Sequence, residues 1–478
     1  MRKAIAVALL LFACAAHAEL PRLVSRAFLD AGVPLNGVAL VVQEVGALRP
    51  LFAHDPTRPM NPASVMKLVT TFAALELLGR DYRWKTEAYL GGALSGGVLH
   101  GDLILKGYGD PKITIEQWQS LMAELRANGL DRVAGDLALD RTWFKLPPHD
   151  PAQFDKEPLK PYNVGPDALL VSFKSVRFVF APNAAGDGVE MRTEPPMAEV
   201  ILGAPPAIAA GDCDDWRSAL GASFVNRGAT ARAAFSGHYA ESCGERDWYL
   251  ALLDHPHYVH GMFTTYFRDA GGQFDGGLKE KSAPRGVRPF ATLESPPLYD
   301  IVRDVNKLSN NVMARQIFLT LATTRYPPPA TPALAADVVQ RFLKERKISI
   351  PGLVLENGSG LSRNERVTAG GLAQMLAAAD RSAAREEFAS SLAVAATDGT
   401  VERRFVNGTV AGQALLKTGT LDGVKALAGY VIDAEGRRWI VVAIINHANA
   451  ARGQAALDAL VQWVYRYARV WDPSMQMK

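Results

Sequence analysis

Residues 64–79, SVMKLVTTFAALELLG, carry apolar side chains around the whole circumference of the helix their spacing predicts. Met66, Leu68, Val69, Phe72, Ala73, Leu75, Leu77 and Leu78 leave little room for a wet face. Such a helix belongs inside a fold, and the rest of the chain has to cover it. Asn61 suits the N-cap, Pro62 the first helical position, and Gly79 the stop. On this register Ser64 lies in the first turn, with Lys67 three positions on along the same face. First-turn N–H groups lack an intrahelical partner, so the Ser64 N–H is free to donate to a developing oxyanion, and the positive helix end favours that charge. Burial favours the neutral form of a lysine. The segment therefore offers a nucleophile, a base and half of an oxyanion hole. A Ser-x-x-Lys pair alone is common by chance, so its meaning depends on what accompanies it.

The chain has 478 residues, room for two to four domains. Residues 1–18 read as a secretory signal: Arg2 and Lys3, then an apolar run from Ala4 to Ala13, then Ala16-His17-Ala18 as the cleavage site. A lipoprotein signal ending at Cys14 fits less well, because the bulky Phe12 precedes Ala13. The expected location is the periplasm. No later stretch approaches the roughly 18 apolar residues of a membrane span, so the expectation is no transmembrane segment and at most a loose membrane association. Removing Arg2 and Lys3 from the 52 basic residues leaves 50 against 49 acidic ones, which gives no electrostatic reason to expect nucleic acid. Cys213 and Cys243 are then the only cysteines, and an oxidising compartment predicts a disulfide between them; two inert thiols are the alternative. His255, His257 and His260 sit in a loop-like stretch without metal-ligand spacing. Neither a metal nor a cofactor is expected.

Along the chain, 21–32 has helical spacing, 37–45 reads as a strand and 50–54 as its hairpin partner. From about 86 to 290 the texture changes to short strand-like runs between turns: 86–90, 98–105, 136–140, 173–180, 189–193 and 230–236, with one helix at 115–128. This stretch reads as one or two β-rich modules. Helices return at 297–307, 311–323, 334–346 and, capped by Thr368, through 379. Three strands follow at 414–421, 425–433 and 439–446, and a helix at 453–470 closes the chain.

Three polar clusters stand in apolar elements in a fixed order: Ser64 with Lys67, Ser309 with Asn311, and Lys417-Thr418-Gly419. That is the ordered set of motifs found in β-lactamases and penicillin-binding proteins. The chemistry of each is separable. Lys67 is the nearest base for the weakly nucleophilic Ser64 hydroxyl, and a cationic Lys417 nearby helps keep Lys67 neutral. Ser309 is placed to pass a proton to a leaving amine, and Asn311 to orient a substrate carbonyl. Lys417 and Thr418, on an apparent edge strand, suit a substrate carboxylate; Gly419 admits a close peptide backbone; the Thr420 N–H is the candidate second oxyanion donor.

The stretches PMNPASVMKLVTTFAALELLG, GDLILKGYGDP, KLSNNVMARQ, ENGSGLSR, ATDGTVERR and LLKTGTLDGVKALAGYV resemble the serine-type D-alanyl-D-alanine carboxypeptidase/endopeptidase family, the class C low-molecular-mass penicillin-binding proteins. The resemblance implies an α/β serine-transferase domain, an antiparallel sheet flanked by helices, interrupted by two inserted β-rich domains. On that pattern 19–85 and 288–478 form the catalytic domain, 86–165 with 262–287 the second domain, and 166–261 the third. It implies a peptidoglycan stem peptide as substrate, an acyl-enzyme on Ser64, hydrolysis by water, and acylation by β-lactams. The stretch SFKSVRF at 172–178 lacks the asparagines the family pattern places there. A class A β-lactamase would bring the second motif closer to Ser64 and add a deacylating Glu motif, neither of which is present; a silent peptidoglycan-binding protein would not need an intact Ser–Lys pair.

Overall fold

The structure is a computed structural model that describes residues 20–406 and 408–471. The expected signal peptide, with Cys14 and the cleavage site after Ala18, lies outside the described residues.

The internal helix is real and packs as its composition requires: Met66 through Leu75 are all buried. It begins at Met66, after a 3-10 turn at Ala63–Val65, so Ser64 sits in that turn rather than in the α-helix proper. The reason is local. Ala63 takes a left-handed conformation, φ 46°, which regular helix does not allow. Asn61 still caps this entry, its Oδ1 accepting the Ala63 N–H at 2.9 Å. Gly79, at φ 84°, ends the helix in a conformation open to glycine.

The helix rests on a six-stranded antiparallel sheet ordered Ala393–Val394, Ala414–Leu421, Val424–Ile432, Arg438–Asn446, Val38–Glu44, Phe52–His54. Both faces are covered, which explains why Arg438–Asn446 is apolar throughout. Ile440, Val442 and Ile444 pack toward Met66–Leu78, Leu298–Leu308, Asn311–Ala322 and Pro332–Glu345. Val441, Ala443 and Ile445 pack toward Arg22–Asp30 and Gln454–Tyr467. At about 25 cal/mol per Å² of apolar area removed from water, this two-sided burial is the main favourable term holding the sheet in place.

The strands between residues 85 and 294 form four further sheets around a second hydrophobic core. One joins Leu278–Glu280, Leu137–Asp140, Leu103–Gly107, Lys85–Leu90 and Ala291–Glu294; its neighbour joins Gln273–Phe274, Arg132–Val133, Val98–His100 and Ala93–Ser95. The other two are built from strands between Val176 and Leu250. The run read as one strand at 98–105 is two, which separate at Gly101-Asp102 and belong to different sheets. Cys213 and Cys243 form a disulfide.

The histidine stretch is helical, not a loop: His255–Asp269 is an α-helix. The Asp254 carboxylate accepts the His257 N–H at 2.9 Å, and Pro256 occupies its first turn, a start signal that the histidine spacing obscures. This helix runs without a break across the expected 261/262 junction. Ala291–Glu294 pairs with Lys85–Leu90 and extends its sheet beyond residue 287.

Ser172, Phe173 and Lys174 occupy three successive left-handed positions, with φ of 43°, 53° and 50°. Asn tolerates this region better than most residues, so the geometry supplies a physical reason for asparagine in the family pattern. Burial also lowers the Lys174 pKa. A lysine whose folded pKa is depressed destabilises the fold at every pH below its unfolded value. Lys174→Asn is therefore expected to stabilise the protein at neutral pH, by about 1 kcal/mol from the backbone alone. Urea unfolding of the two proteins measures it, and an unchanged or lower midpoint contradicts it.

Candidate active site

Three distant stretches meet at the edge of the six-stranded sheet. Lys67, with no exposed surface, stands at their centre. Its Nζ lies 2.8 Å from Ser64 Oγ, 2.6 Å from Asn311 Oδ1 and 2.5 Å from the Ser359 carbonyl oxygen. The amide and carbonyl oxygens can only accept, whereas the hydroxyl can accept or donate. A neutral amine has two N–H groups and one lone pair. It satisfies both acceptors with its N–H groups and turns the lone pair on the Ser64 hydroxyl, the orientation a general base needs.

The electrostatics favour that neutral form. Burial holds the Lys67 pKa well below the usual lysine range, the Lys417 and Arg315 charges push it further down, and Glu365 opposes them. Lys417 is equally buried, which lowers its pKa to about 7. Its Nζ donates to Ser309 Oγ at 2.8 Å and to the Thr418 carbonyl at 3.1 Å. Ser309 is held between two helices in a left-handed conformation, φ 60°, after Leu308 ends one helix and before Asn310 caps the next. A left-handed non-glycine residue thus stands just before the first motif, Ala63, and within the second, Ser309, as strained functional turns often show.

Ala414–Leu421 is not strictly the edge strand. Ala393–Val394 pairs with it, but only at Leu415 and Leu416, so the outer edge is open from Lys417 onward. The Asp422-Gly423 turn makes Leu421 and Val424 a bonded pair. By alternation the backbone groups of Thr418 and Thr420 face away from the neighbouring strand. The Thr418 carbonyl, which accepts from Lys417, confirms that direction. Gly419 also makes a contact within the protein. A Cβ there would stand 2.5 Å from the Pro62 carbonyl oxygen and 3.1 Å from the Ser64 nitrogen. The close approach it permits is that of the protein's own nucleophile turn.

Several contributors carry no motif signal. Gly360, at φ 81°, presses on the same turn; a Cβ there would meet the Ser64 nitrogen at 2.8 Å. Asn446 grips the Asn61 backbone, accepting its N–H at 2.8 Å and donating to its carbonyl at 2.9 Å. The Thr418 hydroxyl donates to Thr400 Oγ1 at 2.8 Å, which brings Thr400 to the strand edge. Asn357, in the loop 356–360, accepts from the Ser359 N–H and hydroxyl. The stretches ENGSGLSR and ATDGTVERR were the available signals, but neither says what it faces.

A cavity of about 1030 Å³ adjoins the site, with Phe154, Arg315, Asn357 and Arg363 in its wall. Ser64 is not part of that wall. The Arg363 guanidinium lies over the Phe154 ring at 4.6 Å. Among the described residues no group of three or more His, Cys, Asp or Glu could hold a metal ion.

An antiparallel sheet with a partly open outer strand, meeting a serine in a turn and a lysine in the internal helix that follows it, is the architecture of the penicillin-recognising serine transferases. The sequence matches the model of the D-Ala-D-Ala carboxypeptidase 3 (S13) family over residues 22–467, and the chain belongs to that family. It is 28% identical over 448 residues to a D-alanyl-D-alanine carboxypeptidase of Actinomadura sp. (strain R39), covering 91% of this chain and 82% of the relative. Its fold is similar to the crystal structure of penicillin binding protein 4 (dacB) from Haemophilus influenzae, at TM-score 0.77 and 23% identity, covering 94% of this chain and all of that one. A complex of the same Haemophilus protein with a β-lactam matches at TM-score 0.73 and 23% identity, over 93% and 99% of the two chains.

Proposed function

We propose that this D-Ala-D-Ala carboxypeptidase works through Ser64, with Lys67 as its base, on peptidoglycan stem peptides in the periplasm. The observation that carries the reading is the Lys67 amine, buried between two obligate acceptors and the Ser64 hydroxyl. Ser64 Oγ attacks the carbonyl of the penultimate D-alanine while its proton moves to Lys67 Nζ. The Ser64 and Thr420 N–H groups receive the oxyanion. Asn311 orients the peptide. Lys417, with Thr418 beside it, holds the terminal carboxylate. Ser309, held by Lys417, passes its proton to the departing amine and recovers one from the Lys67 ammonium, so Lys417 stays charged; water then releases the acyl group. The adjoining cavity gives room for the rest of the stem peptide. A β-lactam follows the same first step and stays on Ser64, a reading supported by the β-lactam complex of the similar Haemophilus protein. We draw the inserted modules with junctions outside the His255–Asp269 helix, because few contacts should cross a domain boundary.

Mass spectrometry of products from purified muropeptides tests this. Monomeric pentapeptide should lose one D-alanine, and cross-linked dimers should fall to monomers if the leaving group includes a cross-bridge amine. If neither substrate changes, the reading is wrong.

A further inference from the structure

The loop 356–360 is wrapped around one carboxylate. Glu365 Oε1 accepts the N–H groups of Glu356, Asn357 and Gly358 at 3.1, 2.9 and 2.8 Å, and Oε2 accepts that of Gly360 at 2.9 Å. The remaining N–H of the loop, from Ser359, goes to Asn357 Oδ1 at 2.9 Å. With every amide engaged on one side, two carbonyls turn to the internal helix. Gly358 accepts from the Thr70 hydroxyl at 2.6 Å, and Ser359 accepts from Lys67. Glu365 has no exposed surface, and among the described residues its carboxylate takes its hydrogen bonds from backbone amides.

We propose that Glu365 is a positioning residue for catalysis: by gathering four amides of the loop it fixes the Ser359 carbonyl that orients the Lys67 amine, and its charge balances the two cations beside that amine. This rests on the reading of Lys67 as the base. The charged groups facing Lys67 come from three elements: Lys417 on the strand, Arg315 on the Asn311–Ala322 helix, and Glu365 on the loop. Glu365 is the one acidic group among them: burial raises its own pKa, the four loop amides oppose that rise, and its charge raises the Lys67 pKa while the other two lower it. The loop geometry and the charge therefore have separable consequences. The geometry governs how fast Ser64 is acylated once Lys67 is neutral. The charge governs the pH at which Lys67 becomes neutral.

The test is the pH profile of the second-order acylation rate with a fluorescent penicillin, measured on the full chain alongside thermal unfolding. In Glu365→Gln the carboxamide keeps most acceptor contacts but loses the charge. The acid limb should move to lower pH by about one unit, the size of a single nearby opposite charge. In Glu365→Asp the charge stays but the shorter side chain cannot span all four amides. The acid limb should stay near its parental midpoint while the plateau falls roughly tenfold or more, as expected when a base is misaligned. A role confined to stability would lower the unfolding temperature and leave midpoint and plateau rate per labelled molecule unchanged in both variants, and that result overturns the inference. If Glu365→Gln does not fold, a parental plateau in Glu365→Asp suffices to overturn it. Lys67→Ala separates the two readings. If that variant is nearly inert while both Glu365 variants are parental, only the present inference fails; if it acylates normally, the assignment of the base has failed.

Discussion

Ser64→Ala gives a folded protein that releases no D-alanine from stem peptides and takes up no penicillin label. The fold survives because the hydroxyl contributes little to it. Ser64 lies in a turn held by Asn61, Gly360 and Gly419 backbone contacts, and removing its oxygen leaves Lys67 with Asn311 and Ser359 as partners. Unfolding should stay within about 0.5 kcal/mol of the parent, the usual range for a change that makes no cavity and strands no buried group. Activity falls because no other nucleophile is poised. The Ser359 hydroxyl is engaged with Asn357 Oδ1 at 2.6 Å. Among the described residues Ser309 Oγ has the Lys417 amine as its hydrogen-bond partner, and that amine keeps its proton up to a pH of about 7. Losing the nucleophile of an acyl-transfer site costs on the order of 10⁶-fold in turnover. Intact-mass spectrometry after incubation with penicillin is the direct readout. An adduct at the parental rate would move the nucleophile elsewhere.

The central layer of the fold was legible in the sequence because its signals are local. Apolar runs at 64–79 and 439–446, the Asp422-Gly423 hairpin and the Thr368 cap each report on a few neighbours along the chain. The inserted region was harder. Its strands are short, Val98–His100 and Leu103–Gly107 separate into two sheets across two residues, and in His255–Asp269 three histidines obscure the start signal of Asp254 and Pro256. The site divided in the same way. The serines, lysines and Asn311 are side chains in motifs, and the structure bonds Lys67 to Ser64 and Asn311 and, separately, Lys417 to Ser309. The Ser359 carbonyl is a backbone group that any residue would supply, so its identity carries no signal. Gly419 showed that something must approach closely but not what: a missing side chain is equally consistent with a substrate backbone and with the Pro62–Ser64 turn. Glu365 was silent because a buried carboxylate satisfied by amides looks, in sequence, like any surface glutamate.

Lys67→Ala slows acylation by about 10²–10⁴-fold and removes the acid limb of the pH profile. The sign follows from the protonation each lysine needs. Lys67 has to be neutral to take the Ser64 proton, so the parental rate rises as pH climbs through its depressed pKa and is flat above it. Burial is the largest cause of that depression, and the Lys417 charge is the next. Lys417 has to be charged to hold a carboxylate, so kcat/KM for a peptide falls as pH rises through about 7 in the free enzyme. A bound carboxylate stabilises the Lys417 ammonium, which places the alkaline limb of kcat at higher pH than that of kcat/KM. Because the two amines share one buried site, the observed midpoints belong to the pair. The variant isolates them. With Lys67 gone, the acid limb has no owner, while the alkaline limb persists because Lys417 and Ser309 are untouched. A profile that keeps its acid limb at an unchanged rate would hand the proton transfer to Lys417 acting through Ser309, the other amine–hydroxyl pair within 2.8 Å.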